Sequence, residues 1–197
     1  MKKPLDDAGL DLIFREARSF NRWAQEKVSD DTLKAIVDLM KWGATSANCW
    51  PMRLVFVKSA EAKARLKPHL DEFNVEKVLT APAVAIIAYD SKFYDRIPEL
   101  FPHNPGARDW FAHDQDVAFT TAFRNGTLQG AYLMIAARAL GLDCGPMSGF
   151  NNEGVDQEFF PDGQFKSNFL CSLGVGTTEE LFGRSPRPAF DSVAEIL

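Results

Sequence analysis

Histidine and cysteine are scarce in this chain of 197 residues, at three each, and neither type is arranged for metal binding. His69, His103 and His113 show no HExxH or other paired spacing, and Cys49, Cys144 and Cys171 form no CxxC pair, so the usual zinc motifs are missing. Three widely separated cysteines also give no disulfide framework and fit a reducing compartment, the cytoplasm. No GxSxG elbow, Walker loop or GxGxxG fingerprint occurs. The common signatures of α/β hydrolases, P-loop proteins and Rossmann domains are therefore lacking. No run approaches the roughly 20 apolar residues of a membrane span, and the opening MKKPLDDAGLDLIF does not read as a signal peptide. Positive charge is not in excess either. Lys and Arg number 22 against 27 Asp and Glu, a net charge of −5, which argues against a nucleic-acid binder but leaves room for a local phosphate pocket.

What is present is ordinary globular composition, 46% hydrophobic and 25% charged, at a length that suits one domain spanning 1–197 with a proline-broken C-terminal arm from about 182. Leu10, Ile13, Phe14 and Ala17 fall at helical spacing within 10–23. Ser29 followed by two aspartates reads as the N-cap of a helix carrying Leu33, Ile36, Val37 and Met40 and stopping near Gly43. RLVFV at 53–57 and AVAIIAY after Pro82 are strands, the second apolar enough to be buried on both faces. Helical patterns lie between them, over 60–70 and up to Thr80. The aromatic-rich stretch 90–112 is an ordered loop or broken helix, a candidate lid. A long helix over 117–140 is expected to bury Leu128, Tyr132, Ile135 and Ala139, with Gly141 as its stop. Extended segments at 142–146 and 168–174 and a final short helix complete an α+β or mixed α/β layer fold.

Several groups carry candidate chemistry. Arg18-Ser19, with Arg22 nearby, and the pair Arg184 and Arg187 would make a charge-assisted phosphate site if the fold joins them; singly, each also suits a solvated surface charge. The loop Ala44–Asn48 offers hydroxyls and a carboxamide, or simply a capping turn. Asn74 and Lys77 share one helix face. Gly145–Phe150 combines two glycines and a proline, a loop able to turn backbone N–H groups toward a ligand.

FREARSFNRW, KWGATSANCWPMRLVFV, FNVEKVLTAPAVAIIA, LGLDCGPMSGF and RSPRPAFDSV, in this order, resemble the FMN-dependent nitroreductase family from end to end. Within it the likeness is closest to the branch that reduces malonic semialdehyde in bacterial uracil degradation, through MKWGATSANC, FYDRIPELFPH, TAFRN and ARALGLDCGPMSGF. The resemblance implies an α+β fold with a central mixed, mainly antiparallel sheet flanked by helices, in an intertwined homodimer with FMN at the subunit interface. It implies NADH or NADPH as hydride donor.

By the same resemblance, Arg18, Ser19, Arg184 and Arg187 match the elements that hold the FMN phosphate. Thr45, Ser46 and Asn48 match the loop beside the flavin, and Asn74 and Lys77 the pair at its pyrimidine edge. Pro146, Met147, Ser148 and Gly149 match the loop facing its N5 and O4 side. Asn21 stands where Lys or Arg is usual, Trp50 where Gln is usual, and Ser148 where Glu is common; Asn125 falls where some members place a Gln near the flavin. Lys77 then acts electrostatically and Ser46 is a candidate proton donor. A semialdehyde carboxylate needs a cation, for which Arg96, Arg108 and Arg124 are candidates and Arg124, beside Asn125, is preferred. The alternatives are a broad nitroaromatic or quinone reductase, or a flavin-binding protein without turnover.

Overall fold

A computed structural model describes residues 2–197. A short helix α1 (Asp7–Leu10) runs into a π-helical turn over Asp11–Arg15. Helix α2 (Asp30–Met40) starts at Ser29, whose hydroxyl accepts from the Thr32 N–H at 3.0 Å, and two aspartates complement its dipole. Strand β1 (Met52–Val57) follows, then α3 (Ala60–Leu66), α4 (Glu72–Thr80) and β2 (Ala83–Asp90). Four short helical turns occupy 93–112, among them α5 (Ile97–Leu100) and α6 (Asp109–Ala112). The 25-residue α7 (Gln115–Ala139), β3 (Asp143–Met147), α8 (Asn152–Phe159) and β4 (Phe165–Gly174) complete the core.

The strands form one sheet in the order β1-β2-β4-β3, and every adjacent pair is antiparallel. On one face α2 and α7 bury Leu33, Ile36, Met40, Leu133 and Ala137 against Ala83, Ala85 and Ile87. On the other, α3, α4 and α8 bury Leu66, Val78 and Val155 against Val84, Ile86 and Leu170. Strand β2 is thus enclosed on both faces, as its unbroken apolar run requires, and each of its isoleucines gains on the order of 1.5–3 kcal/mol by burial. The resulting three layers, helices on both sides of an antiparallel sheet, are the expected α+β class. The parallel element is an isolated bridge, Ser19 to Cys144.

Three local expectations need correction. The helical pattern over 10–23 stops at Arg15. From there the chain runs extended past the start of β3 and the residues that follow β4, with the Phe20 N–H donating to the Cys144 carbonyl at 3.1 Å and the Ala24 N–H to the Val175 carbonyl at 2.8 Å. An unpaired edge strand needs partners for its backbone groups, and this strap supplies them. The buried face of α7 is also not the Leu128–Ala139 stripe: Leu128 is 42% exposed, whereas Ala122, Gly126, Gln129, Gly130 and Leu133 face the sheet. Small residues win because the helix lies close, a Cβ on Gly130 coming within 2.4 Å of the Phe169 ring. The C-terminal arm holds a single 3-10 turn at Phe190–Ser192 rather than a helix, and α8 had no sequence counterpart. The segment 93–112 is well ordered around Phe93, Ile97 and Phe111, which pack on Cys49 and Tyr89. Among the described residues no helix is long and apolar enough to cross a membrane.

Gln129 ties the layers together, since its Oε1, fully buried, accepts from the Met52 N–H at 3.0 Å. Gln129→Leu keeps the volume but orphans that donor, so the urea midpoint should fall by the equivalent of about 1–3 kcal/mol. An unchanged midpoint would remove Gln129 as an anchor of β1.

Candidate functional site

The strap over 17–24 places one end of the site. Arg18 donates to the Phe182 carbonyl, Arg184 to the Ala17 carbonyl at 3.1 Å, and the Thr177 N–H to Arg22 at 3.0 Å. The C-terminal arm is thereby drawn antiparallel onto the strap, and residues more than 160 positions apart in sequence become neighbours. Between them lies a cavity of about 420 Å³ lined by Arg18, Ser19, Asn21, Arg138, Arg184 and Arg187, with Phe14 and Phe182 among its apolar members. No carboxylate lines it, and among the described residues none of its four arginines forms an ion pair. In an acidic chain such a cluster suits a phosphate dianion.

A second cavity of about 760 Å³ shares Asn21 and Phe182 with the first. Its floor is Asn74, Lys77 and the run Pro146–Gly149 at the end of β3. Asn74 donates from Nδ2 to the Gly149 carbonyl at 2.8 Å, and the Lys77 ammonium to the Pro146 carbonyl at 3.2 Å. Helix α4 thus holds the 146–149 loop through the two residues that sequence spacing put on one face. Close approach explains both glycines: a Cβ on Gly145 would meet the Phe20 carbonyl at 2.5 Å and Lys77 Cε at 2.7 Å, and one on Gly149 would meet Asn74 and Asp71 at 2.7 Å. Lys77 is only 7% exposed, and desolvation pushes its pKa down from the ordinary lysine value. At the rim, Arg22 is neutralised by Glu180 at 2.7 Å and Glu76 at 3.0 Å.

One chain therefore unites Arg18, Ser19, Asn21, Asn74, Lys77, Pro146, Met147, Ser148, Gly149, Arg184 and Arg187. It does not bring Thr45, Ser46, Asn48 or Asn125 to them. Their loop precedes β1, and the strand registers put it at the sheet corner diagonally opposite the strap. Asn125 is spent there: its Oδ1 accepts from the Ser46 N–H at 2.9 Å, and its Nδ2 donates to Thr121. Asn48 donates to the Leu100 carbonyl at 2.7 Å. Ala47, Asn48 and Trp50 all have φ between 42° and 48°, left-handed backbone that costs energy in non-glycine residues and concentrates at functional sites. Segment 93–112 packs at this far corner and does not cover the Lys77 cavity of its own chain.

Of the three candidate carboxylate binders, Arg96 is paired with Glu99, and Arg108 with Asp95 and Asp109. Arg124 is exposed on α7 and forms no ion pair among the described residues. It lines neither cavity of its own chain. Sequence reasoning missed Arg138, whose place in the last turn of α7 reads as an ordinary dipole complement.

The Nitroreductase family model matches residues 15–177. The chain belongs to the nitroreductase family. It is 56% identical over 189 residues to a protein of Cupriavidus pinatubonensis provisionally described as an NADH dehydrogenase/NAD(P)H nitroreductase, covering 95% of this chain and 96% of that one. HadB of Ralstonia pickettii, with the same description, matches at the same identity and coverage. A provisionally assigned nitroreductase from Exiguobacterium sibiricum, crystallised with FMN, shares the fold at a TM-score of 0.87 and 20% identity over the whole of both chains. An enone reductase of gut-bacterial fatty acid saturation does so at 0.83 and 18%, covering 98% of this chain and all of that one. The arm carrying Arg184 and Arg187 lies beyond the span of the family match.

Because the folded-state pKa of Lys77 is depressed, the native state binds fewer protons than the unfolded chain up to the ordinary lysine range near 10.4, and the buried cation costs stability below that window. Lys77→Met should therefore hold or raise the melting temperature at pH 7, and its advantage should shrink as pH rises through the window. A drop of more than about 3 kcal/mol at pH 7 would show Lys77 to be structural. Gly145→Ala, by contrast, should lose about 1–3 kcal/mol in denaturant, because it collides with backbone.

Proposed function

We propose that this chain is an FMN-dependent oxidoreductase, taking hydride from NADH or NADPH and delivering it to malonic semialdehyde, with 3-hydroxypropanoate as product. The observation that carries the reading is the joined pair of cavities: four arginines without an ion pair among the described residues in one, and a buried lysine beneath a glycine-bounded loop in the other. A flavin mononucleotide has the matching halves, a phosphate dianion and a flat polar ring, and the donor set fits both. Arg18, Ser19, Arg184 and Arg187 would hold the phosphate, Asn21 lies where the two cavities join, and Asn74, Lys77 and Pro146–Gly149 would hold the ring. When bound, FMN supplies the two-electron carrier between nicotinamide and substrate.

The chain's own task is to bind, orient and shield. Lys77 lies in a dehydrated floor, where its ammonium would offset negative charge on a bound flavin ring more strongly than in water. Asn74 and the Pro146 and Gly149 carbonyl contacts fix the loop before ligand arrives. The strained Thr45–Trp50 loop, with Asn125 behind it, completes the site from a second copy of the chain, since its own copy holds it at the opposite corner. Ser46 is the candidate donor of the proton that accompanies hydride to the carbonyl, and Arg124, the one of three candidates left without an ion pair, holds the substrate carboxylate. A cytoplasmic location suits three buried free thiols.

A second reading, a broad nitroaromatic or quinone reductase, is favoured by the descriptions of the two relatives and by the exposed aromatic rings of Phe73 and Phe182 at the cavity. Anaerobic spectroscopy separates the readings. The purified protein should be yellow, bleach with NADH or NADPH, and recolour with malonic semialdehyde. Recolouring with a quinone alone would discard the semialdehyde, and slow bleaching by both nicotinamides would favour a binding protein without turnover. Arg124→Gln should raise KM for the semialdehyde about tenfold or more while leaving a neutral quinone unaffected; equal effects on both would remove Arg124 from the substrate site.

A further inference from the structure

A third cavity, of about 440 Å³, shares no lining residue with the two described above. It opens between the end of β2 and the segment that leads into α7, and the rings of Tyr89, Tyr94, Phe111 and Phe119 line it. Lys92 and Lys166 add two cations, and no carboxylate lines it, in a chain whose net charge is −5. Lys92 forms no ion pair among the described residues, and Lys166 forms only a long one, 3.8 Å from Asp156.

Tyr89 is the buried polar member of the lining, 8% exposed. Its ring is fixed edge-on against Phe119 and Phe123, with centroids 6.2 and 5.9 Å away. Its hydroxyl has no hydrogen-bond partner among the described residues, yet it is not sealed in the core as the orphaned Gln129 amide is. It opens on the cavity instead. Burial, and then the charge of Asp156, hold the phenol above its ordinary pKa, so it stays a proton donor at neutral pH. A buried phenol normally finds an acceptor, and the protein supplies none. Aromatic walls alone would take a hydrocarbon, and lysines alone any anion. Together with a free donor at depth they select a flat ring carrying a carboxylate. No arginine fork or glycine loop lines the cavity, which argues against a phosphate.

We propose that this cavity binds a small aromatic carboxylate of the benzoate or naphthoate class, Tyr89 donating to the carboxylate and Lys92 supplying the unpaired cation. The ring lies against Phe111 and Phe119. The site needs no flavin, so its occupancy is measurable whether or not one is bound.

The test is isothermal titration calorimetry of the full-length protein with 1-naphthoate and with the neutral 1-naphthamide, for wild type, Tyr89→Phe and Lys92→Met. Circular dichroism melts report whether each variant folds. Wild type should bind the carboxylate once per chain, at least about tenfold more tightly than the amide. Tyr89→Phe removes one oxygen and keeps the ring packing, and it should weaken the carboxylate about fivefold to thirtyfold. Lys92→Met, at an exposed position, should weaken it about threefold or more, and it carries the test if Tyr89→Phe does not fold. Saturating FMN should leave the affinity unchanged. Competition by FMN would place the ligand in the Lys77 cavity and overturn the proposal. So would equal affinity for the amide, no binding by wild type, or an unchanged affinity in the folded variants.

Discussion

Four guanidinium groups gathered in one cavity with no carboxylate between them repel one another, and the architecture around them is what makes the gathering possible. The strap 17–24 is fixed by β3, whose edge would otherwise leave its backbone groups unpaired, and the arm is fixed in turn by the strap. Hydrogen bonds from all four arginines to carbonyl oxygens offset part of the repulsion. The remainder is held by folding free energy spread over the sheet, and a dianion would return it. The same edge strand ends in the Pro146–Gly149 loop, so the arginine cavity and the Lys77 cavity hang on one structural element.

The opposite corner obeys a different constraint. Three left-handed non-glycine residues, Ala47, Asn48 and Trp50, persist within one short loop because Asn125, Leu100 and Thr45 hold it, Thr45 Oγ1 accepting from the Trp50 N–H at 3.2 Å. Such strain is not needed to cap α2 or to start β1. Its presence far from the cavity of its own chain is what supports the proposal that the site is shared between two copies.

Local chemistry made some elements readable in advance. Ser29 and its aspartates announce α2, and the unbroken apolar run after Pro82 announces a central strand. Asn74 and Lys77 were legible as a helix face because that relation spans a single turn. The face of α7 was not, because Leu128 satisfies the helical period as well as Gly126 or Gly130 does, and only the approach distance to Tyr89 and Phe169 decides for the glycines. The strap is hidden for a similar reason: Ala17 continues the helical spacing, but the backbone demand of Cys144 in β3, 124 residues beyond Phe20, prevails. The convergence of Arg18 with Arg184 has no local signal at all. Only the order of whole motifs points to it, and Arg138, although inside ARALGLDCGPMSGF, carries no separate signal because its place in the last turn of α7 reads as a dipole complement.

The proposed division of the site between two copies of the chain is tested most directly by complementation. Two variants that each lose activity, Lys77→Met in one half of the site and Asn48→Ala with Ser46→Ala in the other, would be dissociated, mixed in equal amounts and reassociated. A shared site predicts that mixed dimers carry one intact and one doubly altered cleft, so activity should return to about a quarter of wild type. No recovery in mixtures shown to have exchanged subunits would contradict a site built from two chains.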